Sequence, residues 1–212
     1  MAAEISARMK LFVLGATGKT GVHLVEQGLE RGHEITAFVR SPGKVSRRDA
    51  KLTVKAGDPT RAAEIAAALP GHDAVLSAIG AGGLGPTSVH TDCARATVDA
   101  MGTAGVRRLI AISTAFLFPD VGFFGNILRR LVFKNLVADH RNMEHAIQTS
   151  PLDWTLVRPP RLLPGPALGR YRVADEELPA GGSTLRFADV AHFMLDAAEK
   201  SQHVKHVTGA CY

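Results

Sequence analysis

The sequence predicts a doubly wound α/β fold of Rossmann type, a mainly parallel sheet with helices on both faces. Three observations lead there. Short apolar or β-branched runs alternate with longer stretches of helical period. Those runs do not alternate apolar with polar residues, so the strands are expected to be covered on both faces. A glycine-rich turn, Gly15-Ala16-Thr17-Gly18-Lys19-Thr20-Gly21, stands between the first run and the first helix. Right-handed crossovers then fix the winding.

In order, Lys10–Leu14 (KLFVL) reads as a buried strand. Thr20–Arg31 is a helix with Val22, Val25 and Leu29 on one face, ending near Gly32. Glu34–Val39 and Leu52–Lys55 are the second and third strands. Arg61–Leu69 is an alanine-rich helix stopped by Pro70 and Gly71. Ala74–Ile79 is the fourth strand, followed by the loop Gly80–Pro86, a helix over Ser88–Ala104 and a fifth strand, Arg108–Ser113. Beyond it, 116–126 reads as a loop rich in Phe and Gly, and 127–150 as helix with a break near Asn135. Trp154–Val157 is a sixth strand, ended by Arg158-Pro159-Pro160. Pro164–Gly182 is an excursion toward the substrate side with a short strand at Tyr171–Val173. Phe187–Lys200 is a last amphipathic helix, and His206–Ala210 an edge strand.

The 212 residues suit one domain over 1–212, with 1–8 a disordered extension or a misassigned start ahead of Met9. The net charge of +5 comes from scattered Lys and Arg that are not interleaved with aromatics, so nucleic acid is not the expected partner. No apolar run reaches membrane-spanning length, and no membrane partner is expected. Cys93 and Cys211 lie far apart with no CxxC or Cys/His spacing, which predicts neither a metal site nor a disulfide framework and suits a reducing, cytoplasmic compartment. A monomer or weak homodimer is expected.

The turn carries the chemistry. Gly15 permits a tight exit from the strand, Gly18 lets backbone amides approach a diphosphate, and Gly21 lets the helix pack close to the sheet. Ala16 lies within the same cradle, and Thr17, Lys19 and Thr20 add side-chain donors. The helix N-terminus contributes partial positive charge. Lys19 falls between the second and third glycines, so this is not a P-loop. At the end of the second strand, where an NAD-binding chain usually carries an acid for the ribose 2′-hydroxyl, stands Arg40. A cation there accepts a 2′-phosphate, with Ser41 and Lys44 adding contacts. NADP(H) is therefore expected over NAD. Asp58, near the adenine end, and Ala78, Ile79, Gly80 and Pro159 complete the expected cofactor contacts.

GATGKTG, VRSPGKV, AGD, ISTAFLF, DHRNMEHAI, DWTLVRPPRL and LRFADVAHFML, in this order from Met9 to Ala198, resemble the atypical short-chain dehydrogenase/reductases, and among them the biliverdin-IXβ reductase/flavin reductase group. The resemblance implies a Rossmann domain, NADPH, and hydride delivery to flavins, biliverdins or quinone-like acceptors. Typical members of the wider superfamily use a Tyr with a Lys four residues on. Here Glu144 fits the position of a Glu that follows the Lys, which puts His140 at the Lys and Leu136 at the Tyr. Neither Tyr171 nor Tyr212 has a Lys four residues on. Ordinary alcohol–ketone redox is thereby disfavoured, whereas a conjugated acceptor delocalises charge and takes its proton from water.

Thr114, with Ser113 as the near alternative, is the candidate for bonding the substrate or nicotinamide, since alternation lets one of the pair face the site; the other reading is that both only cap the strand end. His140 reads either as a proton relay with a pKa near working pH, paired with Glu144 one turn on, or as a structural or solvated side chain. Phe116, with Phe118, Phe123 and Phe124, reads as the wall of an aromatic pocket or, for any one of them, as core packing or part of a lid. Arg161, where biliverdin-reducing relatives carry His, binds an acidic substrate or a flavin phosphate, or only adds surface charge. His90, His192, His203 and His206 read as surface or packing residues, and Arg129, Arg130 and Lys134 as a solvated helix face. Two other functions remain open: an NmrA-like NADP sensor without turnover, and a nucleotide-sugar epimerase or dehydratase.

Overall fold

The computed structural model describes residues 8–80, 85–119 and 131–212. Phe123, Phe124, Arg129 and Arg130 lie outside the described residues, as do 1–7 and 81–84. Along the chain run β1 (Lys10–Leu14), α1 (Lys19–Glu30), β2 (Glu34–Val39), β3 (Leu52–Ala56), α2 (Ala62–Ala68), β4 (Ala74–Ser77), α3 (Val89–Ala104) and β5 (Arg108–Ile112). After them come α4 (Lys134–Gln148), β6 (Asp153–Arg158), β7 (Arg161–Leu163), β8 (Arg172–Asp175), β9 (Thr184–Arg186), α5 (Phe187–Glu199) and β10 (His206–Cys211).

β1 shows why the sheet is covered twice. Its side chains point alternately to opposite faces. Leu11 and Val13 join the cluster under α1 and α5, while Phe12 and Leu14 join the cluster under α2, α3 and α4. All four are fully buried, each contributing about 1.5–3 kcal/mol relative to exposure. Strand order is β3-β2-β1-β4-β5-β6-β10-β8. The first seven are mutually parallel and β8 is antiparallel to β10. The order therefore reverses between β1 and β4, and a crevice opens at the carboxyl ends of the strands there.

Several expectations are corrected. His206–Ala210 is not at an edge: β10 is hydrogen-bonded between β6 and β8, and β8, within the excursion, is the edge. The excursion also contributes a separate parallel pair, β7 with β9, in register Arg161↔Thr184. In its described part the helical stretch breaks at Val132–Phe133, just before α4 and two residues ahead of Asn135, near the expected break. Arg108 is buried, and its guanidinium donates to the carbonyls of Asp153, Ala197 and Gln202 at 2.8 Å each. That ties β5 and β6 to the end of α5, where a cation suits the helix dipole.

Candidate functional site

The crevice is a cleft of about 820 Å³ at the carboxyl ends of β1, β2, β4 and β5. Its floor is the glycine turn. Gly15 has φ +76°, and a Cβ there would lie 2.4 Å from the Ala78 carbonyl oxygen. A Cβ on Gly21 would lie 2.0 Å from the Gly15 oxygen, so α1 begins closer to β1 than any side chain permits. Gly18, the N-cap of α1, donates to the Gly15 oxygen at 2.9 Å. No side chain caps α1 and no acid lies in its first turn. The first amides of the helix therefore keep free donors, with the dipole behind them. The residues present fit a diphosphate.

Gly15, Thr17, Gly18, Lys19 and Thr20 line the cleft, whereas Ala16 and Gly21 are buried beneath it. Lys19 Nζ sits 5.4 Å from the Phe187 ring centroid. At one end Arg40 and Asp58 line the opening. Arg40 is exposed. Asp58 is held by Thr60, whose backbone N–H and hydroxyl donate to it at 2.9 and 2.8 Å. Those bonds, helped by Arg61 and Arg40, hold its carboxyl below the usual range. Ser41 and Lys44 are exposed and do not line the cleft. Ala78, Ile79 and Gly80 line its middle, and Pro159 is buried outside it, its carbonyl accepting from Ala115 N–H.

The far end brings Ser113 and His140 together with Val89, His90, Cys93, Phe133, Leu136 and Leu162. Thr114, the first choice for a catalytic hydroxyl, is not there: it caps the 3-10 turn Ala115–Leu117, accepting from Phe116 N–H at 3.3 Å. Ser113 lines the cleft instead, 5 % exposed, and its buried Oγ has no hydrogen-bond partner among the described residues. Phe116 stacks on Phe133 at 4.9 Å and so acts one layer back from the cleft. Phe118 is buried under the Arg158 guanidinium, at 4.8 Å. Arg161 is exposed at the start of β7 and does not line the cleft.

His140 also departs from expectation. It is 6 % exposed, and burial followed by the nearby His90 pushes its imidazole down to about 3, so it is neutral at working pH. Its expected partner is engaged elsewhere: buried Glu144 takes a bidentate bond from Arg158 at 2.9 and 2.5 Å. His90, read from the sequence as packing, lines the cleft and lies against His140 with ring centroids 4.0 Å apart. Asp139, fully buried, accepts from the His90 and Thr91 amides, His90 Nδ1 and the Thr91 hydroxyl at 2.6–3.1 Å. It thus caps α3 from a neighbouring helix, and these bonds outweigh burial to keep its carboxyl low. The available signal was an acid in DHRN beside the lone His140, but its partners lie 48 and 49 residues away.

Cys93, also on this wall, has its thiol pushed up to about 12, mainly by burial. Among the described residues no group of three or more His, Cys, Asp or Glu is placed to hold a metal ion, and no helix is long and apolar enough to cross a membrane.

YwnB of Bacillus subtilis is 28% identical over 206 residues, covering 92% of this chain and 94% of that one. A Streptococcus pneumoniae protein described as "a putative NADH-flavin reductase" is 26% identical, with TM-score 0.76 over 96% of this chain and 99% of that one. A Veillonella parvula short-chain dehydrogenase/reductase solved in complex with NADP, 18% identical, shares the fold at TM-score 0.79 over 96% and 94% of the two chains. A family model described as NAD(P)H-binding matches residues 15–201, starting on the first glycine of the turn and taking in nearly all the fold, and by that match the chain belongs to the NAD(P)H-binding family.

Proposed function

We propose that the protein is an NADPH-dependent reductase acting on a conjugated ring acceptor of the flavin, quinone or tetrapyrrole kind. The observation that carries this reading is the continuity of one cleft, from Arg40 past the phosphate turn to the chamber around Ser113 and His140. The turn amides would hold the diphosphate, and Arg40 the 2′-phosphate, where its fork matches phosphate geometry. Bound NADPH supplies hydride, two electrons with one proton; the second proton comes from water, and NADP⁺ and the reduced acceptor leave.

The chain's own part is positioning and exclusion of water. Phe133, Leu136, Leu162 and Phe187 offer apolar surface against which a flat ring can lie. The two tyrosines stand away from this chamber. Tyr171 bonds His192 at 2.9 Å and Tyr212 bonds Asp189 at 2.5 Å, and neither lines the cleft. A phenolic acid for ketone reduction is thus not at hand, which supports an acceptor that needs none. The likeness to the Streptococcus pneumoniae protein points the same way.

The test follows NADPH absorbance with purified protein and riboflavin, FMN, menadione or biliverdin in turn. Oxidation with at least one acceptor is expected. NADP⁺ binding without turnover across the panel would replace this reading with a nucleotide sensor. Arg40→Asp is expected to weaken NADP⁺ at least about tenfold more than NAD⁺, the loss of one charge-assisted phosphate contact; equal losses would remove Arg40 from the 2′-phosphate.

A further inference from the structure

Lys19 stands where a helix least favours a cation. It is the first residue of α1, at the positive end of the dipole, and no acid lies in the first turn to offset it. Among the described residues the lysine ion pairs belong to Lys10 and Lys200, and Lys19 has none. What its ammonium meets is the ring of Phe187, 5.4 Å from the centroid and within the range of a cation–π contact. A local rule broken without compensation inside the fold calls for an anion from outside it. Lys19 and Phe187 both line the cleft at the phosphate turn, where that anion is the diphosphate of a dinucleotide.

Phe187 is a fixed platform for the ammonium. It opens α5, and α5 is pinned to α1 at several points. Gln27 Nε2 of α1 donates to the Ala188 carbonyl, one residue past Phe187, at 2.9 Å. Farther along the two helices, Arg31 donates to Asp196 and Glu199 at 2.7 and 2.9 Å. The residue before Phe187 is held as well, because Arg186 N–H donates to the Tyr212 hydroxyl at 3.2 Å. The start of α5 thus keeps its place beside the start of α1 with no ligand present. A free lysine side chain samples many rotamers, and a bound phosphate must order them. A ring that already holds the ammonium removes part of that entropy cost.

We propose that Phe187 is a positioning residue for the cofactor: its ring holds the Lys19 ammonium at the turn, where it meets the diphosphate. This rests on the reading of the turn as a diphosphate site. It gives a side chain on the acceptor wall a second duty, so that one ring bears on both cofactor affinity and the acceptor chamber.

The test is equilibrium binding by calorimetry of three ligands. They are NADP⁺, 2′-phospho-ADP-ribose, which keeps the diphosphate and lacks the nicotinamide, and 2′-AMP, which lacks both. Phe187→Leu should weaken the first two alike, by about two- to fivefold, the worth of one exposed cation–π contact, and leave 2′-AMP unchanged. Lys19→Met should weaken the same two by about tenfold, the loss of one charge-assisted contact. In that background Phe187→Leu should cost nothing further. Phe187→Tyr, which keeps a ring, should bind all three as the unaltered protein does. A loss confined to NADP⁺ would mean that Phe187 touches the nicotinamide, and would overturn the proposal. So would an equal loss for all three ligands, or losses that multiply in the double variant. Absence of NADP⁺ binding to the unaltered protein would remove the cofactor reading and this inference with it; the other outcomes remove Phe187 alone.

Discussion

Replacing Gly21 by Ala tests the phosphate cradle more sharply than any change of charge. The new methyl group would lie 2.0 Å from the Gly15 oxygen, 2.7 Å from the Gly15 carbonyl carbon and 2.8 Å from the Ala16 Cα. All three are backbone atoms of the turn itself, so no side chain can swing aside. To reach the 3.4 Å at which ordinary contact begins, α1 and the turn must separate by about 1.4 Å. Overpacking of this kind costs about 1–3 kcal/mol of stability. The same movement withdraws the first helical amides from the diphosphate, and a displacement of about 1 Å in a positioned site costs on the order of 100-fold. Gly102→Ala is the control. It sits in α3 with nothing within 4 Å of the added methyl, and should stabilise by about 0.5–1 kcal/mol through helix propensity and lost chain entropy. Urea unfolding gives the stabilities, and NADPH fluorescence titration the affinities. If Gly21→Ala bound NADPH within about threefold of the unaltered protein and unfolded at the same urea concentration, the close approach of α1 to the turn would not be what holds the cofactor.

His140 makes stability fall with acidity. Its folded imidazole lies near 3 and the unfolded one near the ordinary histidine value of 6.5, so between those values the unfolded chain binds the extra proton. The stability it contributes is complete above the unfolded value and declines by up to about 1.4 kcal/mol per pH unit below it. Unfolding of the unaltered protein and His140→Phe at pH 7 and pH 5 should show the larger acid loss in the former; parallel losses would contradict a neutral buried imidazole. Glu144→Ala should cost about 3 kcal/mol, because Arg158 is left largely buried without its bidentate partner. A loss under about 1 kcal/mol in urea unfolding would mean that solvent reaches Arg158 freely.

The sheet and the phosphate turn were legible because local rules govern them. Unbroken apolar runs such as KLFVL mark strands covered on both faces, and the spacing of Gly15, Gly18 and Gly21 answers to contacts within the turn. The far end of the cleft was not legible, because long-range geometry sets it. Ser113 and Thr114 lie just beyond the end of β5, where strand alternation no longer decides between them; the 3-10 turn that Thr114 caps does. His90 acquires its place through Asp139, 49 residues on. β7 and β9 have three residues each and pair across 23 positions, too short for any periodicity to show.

Asp139 and His140 are adjacent on α4, and this has a dynamic consequence. One residue holds the amino end of α3; the next forms part of the cavity wall. Fluctuations that swing α4 outward must release the His90 and Thr91 amides in the same event, so the wall cannot breathe alone. Deuterium uptake at those two amides should therefore slow together when a molecule fills the chamber, making them a built-in reporter of occupancy.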